Sequence, residues 1–185
     1  MYILSIISSL LLGGFLLLAA MRFGVPAMVS DVYYQLQKCT GSEVIGDKRK
    51  RNYGWLFTFV MVTCAVLMMV CMLDTGKGVQ FLAFLGCGGL MFVGAAPNYL
   101  DADAYPIHKV GALVAAAGCV GWCLSVCWWV TAIIAILYIL YVAYAFHLYE
   151  ELAISKRHWL AKPWYWLEVS AFLDVFVTYW LAYNI

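Results

Sequence analysis

Four sets of residues in this chain have types and spacings that chemistry could use. Ser30 and Asp31 stand together in VPAMVSDVYYQL, the stretch from Val25 to Leu36, beside Tyr33 and Tyr34. His108 follows Asp101 and Asp103 by seven and five residues in APNYLDADAYPIHKVGA. YAFHLYEE places Glu150 and Glu151 three and four residues after His147. Ser170, Asp174 and Thr178 repeat every four residues near the C-terminal end.

Each set suggests a particular chemistry. On a helix, both carboxylates after His147 share its face, which suits a metal or an oriented general base. Zinc needs at least three protein ligands, so His147 and Glu151 would need His108 or another loop residue to complete a set. A hydrogen-bonded, snorkelling helix end is the simpler account of that cluster. His108 sits where a helix should begin, and the helix dipole there favours a neutral ring, able to act as base or metal ligand. Asp101 and Asp103 resemble the opening of a calcium loop, but the glycine and the distal glutamate are missing. Asp174 is an acid inside an apolar helix, which is costly and marks a bundle interior or a wet cavity. It can take a proton, pair with a hydroxyl or line a solute path, or simply bond to another helix. Ser30 suits an N-cap, Asp31 the first turn of a short helix, and the two tyrosines an interfacial belt. Cap and belt account for that whole stretch. Its shared membrane face with the histidines keeps a site reading open.

The elements that must position these residues are apolar helices. The chain has 185 residues, 66% hydrophobic and 11% charged, with mean hydropathy +0.89. A soluble domain is typically about half apolar and a quarter charged. An integral membrane protein in one domain, residues 1–185, is expected. Net charge of +1 excludes the extended basic surface of a nucleic-acid binder. Spans of about 20 residues fit at roughly 2–23, 54–73, 79–97, 107–127, 129–149 and 163–183. The 39 residues from Val110 to Leu148 hold no charge except His147, and suit two spans joined by a hairpin near Trp128-Trp129. MYILSIISSLLLGGFLLLAAM reads as the first span, since it lacks a basic leader.

Lysine and arginine set the orientation. With the N-terminus outside, ten of the eleven basic residues lie at cytoplasmic loops or helix ends, and only Lys77 lies outside. KRKR at 48–51 is the topogenic anchor, or else an anionic-lipid patch. The fold expected is therefore an all-α, six-helix transmembrane bundle with both termini extracytoplasmic, in the cell (inner) membrane. All three histidines and most acids then gather at the cytoplasmic face. Gly111, Ala115, Cys119, Cys123 and Cys127 repeat every four residues on the fourth span. They read as a small-residue packing face, open to homo-oligomer formation, rather than a soft-metal site. Gly86, Gly88, Gly89 and Gly94 predict tight packing of the third span. Of the seven cysteines, only Cys71 and Cys127 lie near the oxidising side, as the one feasible disulfide pair. The chain has no phosphate loop, H-E-x-x-H or G-x-S-x-G motif. It also has no mid-span lysine and no inverted repeat.

VSDVYY, GAAP at 94–97 and the histidine at 108 give a likeness to known proteins. On them the chain resembles small multi-span bacterial and phage membrane proteins and the six-span DRAM-like family. The resemblance implies a six-span fold and no assigned activity. The H-x-x-x-H pair and seventh span of the membrane ceramidases are absent.

Function is expected to be the binding or permeation of a small solute, ion or lipid headgroup in a cytoplasm-facing polar pocket. Asp174, Ser170 and Thr178 would line that pocket, with Asp31, Asp101 and His108 at its mouth. One alternative is a metal-dependent membrane lipid hydrolase or transferase, with His108, His147 and Glu151 as ligands and Ser30 or a bound water as nucleophile. Another is a structural or regulatory subunit. Membrane lipids are the expected partners, and no cofactor beyond such a metal is expected.

Overall fold

The computed structural model describes residues 1–38 and 53–184. KRKR at 48–51, Glu43, Asp47 and the glycine at 41 lie outside them. The described residues form seven helices and no strand: α1 (Tyr2–Phe23), α2 (Asp31–Lys38), α3 (Gly54–Asp74), α4 (Gln80–Ala95), α5 (Ala104–Leu148), α6 (Ile154–Ala161) and α7 (Pro163–Asn184). α1, α3 and α5 are long and apolar enough to cross a membrane; α4 is apolar and shorter. Their outward faces are correspondingly apolar, with Leu10, Leu18, Phe81, Leu137 and Leu140 all exposed.

α5 has 45 residues and a single non-helical residue, Cys127, at φ −142° and ψ 68°. A straight helix of that length would run about 68 Å. Contacts show instead that it doubles back. Trp122 donates to the Lys77 carbonyl at 3.1 Å, and Ser125 accepts from Val79 N–H at 3.0 Å. His108 and Tyr141, on either side, both return to the opposite end: His108 meets Ser30 at 3.0 Å, and Tyr141 donates to the Ala161 carbonyl at 2.7 Å. That end is one neighbourhood, because Lys162 bonds the Val25 carbonyl and Glu168 the Val29 N–H. The expected hairpin exists, one residue before Trp128. Gly78, at φ +64°, lies against this turn, where a Cβ would meet Val126 and Ser125 within 2.6 Å.

Small residues let α4 and α5 touch backbone to backbone. A Cβ on Gly118 would lie 2.4 Å from the Gly86 nitrogen, and one on Gly89 would lie 2.4 Å from the Ala115 nitrogen. The small-residue face of the fourth span packs on α4 of the same chain at Gly111, Ala115 and Cys119. Gly88, by contrast, faces open space. Cys71 and Cys127, the one feasible pair, are both free thiols.

Candidate functional site

Between α1 and α2 the chain has no regular structure, and backbone groups buried there need partners. The Asp31 carboxylate accepts from the Met28 N–H at 3.1 Å, and Glu168 from the Val29 N–H at 2.6 Å. Lys162, in a left-handed conformation at the end of α6, donates to the Val25 carbonyl. Residues 25–31 are thus clamped against the start of α7. Ser30 does not use its hydroxyl to cap α2, as its type suggested. The hydroxyl lies 3.0 Å from Nε2 of His108.

His108 is on the second turn of α5, after Pro106, and its Nδ1 lies 2.8 Å from the Ala96 carbonyl. A carbonyl can only accept, so Nδ1 carries the proton, and in the neutral ring Nε2 accepts from Ser30. Both residues are buried, at 7% and 9% exposure. The His108 ring packs on Tyr99 with centroids 5.2 Å apart, and Tyr99 packs edge-on to Tyr34 at 5.2 Å. Tyr99 donates to the Asp31 carboxylate. Burial first, then that hydrogen bond and the carboxylate's charge, push the Tyr99 phenol above its ordinary range. Tyr34 donates to Asn98 at 3.0 Å and accepts from the Leu100 N–H at 2.8 Å. Tyr34 therefore binds the loop between α4 and α5, whereas Tyr33 packs on Tyr34 and on Phe57 of α3.

This cluster closes one end of a cavity of about 380 Å³, within the range of small-molecule sites. Its polar lining is Ser30, Tyr99, Tyr105, His108, Lys109 and Glu168. The remaining wall is apolar, and includes Leu12, Met61, Leu90, Val93, Ala171 and Phe172. Along α5 the lining extends from Tyr105 to Val120, a length of about 22 Å at the helical rise. A second apolar groove, between α1 and α7, shares Leu12, Phe172 and Phe176 with the cavity.

Of the residues singled out in the sequence, Ser30 and His108 line the cavity, and Asp31 supports it through Tyr99. Asp101 is exposed on the loop. Asp174 is only 3% exposed, accepts from Thr178 at 3.3 Å, and has Cys123 and Thr131 as neighbours. It sits against both arms of α5 beside the turn, and is not part of the cavity lining. Ser170 donates to the Leu167 carbonyl of its own helix. From α7 the cavity is lined by Glu168, Ala171, Phe172, Val175 and Phe176, and not by Ser170, Asp174 or Thr178. His147 pairs with Glu150 at 3.0 Å on the surface. His108 meanwhile has partners at both ring nitrogens. Among the described residues, no three His, Cys, Asp or Glu gather in metal-binding geometry, so His108, His147 and Glu151 do not form one site. Tyr99, Lys109 and Glu168 are additions that the sequence reading did not place in the site. Only Glu168 carried a signal, as an acid in an apolar helix.

The chain matches no protein-family model, no curated protein and no solved structure.

Proposed function

We propose that this is a multi-pass membrane protein that binds an elongated amphiphile, such as a single-chain lipid. Its polar head lies at Ser30, His108, Lys109 and Glu168, and its chain lies in the apolar cavity. The observation that carries this reading is the asymmetry of the cavity: all six polar lining residues stand at one end of a long apolar wall. A small ion or sugar would leave that wall unpartnered, whereas an acyl chain packs along it. The groove between α1 and α7 offers lateral access from lipid, with Leu12, Phe172 and Phe176 between the two spaces.

In this reading six segments cross the bilayer: α1, α3, the shorter α4, the two arms of α5, and α7. Tyr2 packs against Trp180 and Tyr183 with ring centroids 6.1 and 5.7 Å apart. The two termini therefore share one end, which calls for an even number of crossings. Lys77 lies at that end, bonded to the Ala182 carbonyl at 2.7 Å. Lys162 is bonded at the other end and Lys109 stands there beside His108, which by the positive-inside rule faces the cytoplasm.

Binding of a dansylated fatty acid to the purified protein in mild detergent tests the function. Ala171→Phe, which fills the cavity, should weaken binding at least tenfold while leaving thermal unfolding nearly unchanged. Equal affinity in the variant would contradict the reading.

A further inference from the structure

Ser30 and His108 have a geometry that lipid binding alone does not require. A hydroxyl lies 3.0 Å from an imidazole nitrogen, the other ring nitrogen is held at 2.8 Å by the Ala96 carbonyl, and both side chains border the cavity. A nucleophile, a base and a group that orients the base are the three parts of an activated serine. The Tyr99 ring on His108 fixes the imidazole plane as well. The Ser30 hydroxyl has not been taken up as a helix cap, and among the described residues its hydrogen-bond partner is His108.

We infer that the protein hydrolyses carboxylic esters of long-chain acyl groups, with Ser30 as nucleophile and His108 as general base. This rests on the amphiphile-binding reading above, and names its substrate class. In the first half-reaction Oγ of Ser30 attacks the acyl carbon and its proton passes to Nε2 of His108. The bond from the acyl carbon to the alcohol oxygen then breaks, and the departing oxygen takes that proton. Water repeats the attack on the acyl-serine: one of its protons goes to Nε2, and Oγ recovers a proton from Nε2 as it leaves. Ester and water become acid and alcohol with no change of oxidation state. Lys109, on the same wall with its ammonium over the Tyr105 ring, gives that end of the cavity a positive potential that favours the developing oxyanion. The chain of the acyl group occupies the apolar wall, which places the scissile carbonyl at the polar end.

The test is labelling of the full chain in lipid nanodiscs by a long-chain alkyl fluorophosphonate, followed by peptide mapping. The expected result is one adduct, on Ser30, that disappears in Ser30→Ala. In His108→Gln, which keeps a hydrogen-bonding side chain, the labelling rate should fall about a hundredfold or more, the range typical of a lost general base. Mapping on the wild-type chain remains decisive even if a variant fails to fold. No adduct on Ser30, or an adduct elsewhere that survives Ser30→Ala, overturns the inference. If the dansylated fatty acid still binds in the same preparation, only the ester chemistry has failed. If it does not bind, the underlying reading has failed with it.

Discussion

The backbone N–H of Val29 shows what single residues contribute at this site. Val29 is 2% exposed, and a buried donor without an acceptor costs about 1–3 kcal/mol. Glu168 is that acceptor, 139 residues away in sequence. Glu168→Leu should therefore destabilise the purified protein by about 1–3 kcal/mol, whereas Glu168→Gln, which keeps a carbonyl oxygen, should cost clearly less. Thermal unfolding followed by tryptophan fluorescence checks this, and equal losses in the two variants would remove the clamp from the account. Long separations of this kind explain what the sequence hid. Ser30 and His108 are 78 residues apart, so no spacing rule joins them, and Tyr99 lies in a loop with no motif around it. Asp174 stood out because acids in apolar helices are costly. The same cost is met when Thr178, one turn on, donates to it beside the α5 turn.

Helices were the most legible level. Hydropathy gave α1 its observed bounds and placed α3 and α7 within a residue, because a lipid-facing helix must be apolar along its whole length. α6 went unanticipated: ISKRHWLA is short and polar, and neither length nor period marks it. The break in α5 was expected on length alone, and Cys127 supplies it with no proline or glycine at the position. Small-residue spacing correctly indicated close approach, but spacing cannot say whether the partner helix belongs to the same chain. Here it does, and that makes a graded prediction at this scale. Gly118→Ala forces a Cβ against the α4 backbone and should cost about 1–3 kcal/mol by overpacking. Gly88→Ala meets open space and should be neutral or slightly stabilising through helix propensity. The pair is read by the same unfolding assay. A Gly118→Ala protein as stable as Gly88→Ala would contradict the observed α4–α5 contact.

At the scale of the molecule, the arrangement separates two apolar surfaces. One faces outward, through residues such as Ile133, Leu137 and Leu140 on the second arm of α5, where bilayer lipid would lie in any membrane protein. The other faces inward, along the cavity that ends at Ser30 and His108. Composition made the first legible. The second depends on how the segments are brought together, and in particular on α1 and α7 making few contacts with each other. The most direct test is photo-crosslinking of the membrane-embedded protein with a diazirine fatty acid, followed by peptide mapping. Labels on Leu90, Val93 or Phe172, reduced by excess unlabelled fatty acid, are the predicted result. Labels confined to Ile133, Leu137 and Leu140, and insensitive to competitor, would contradict the account.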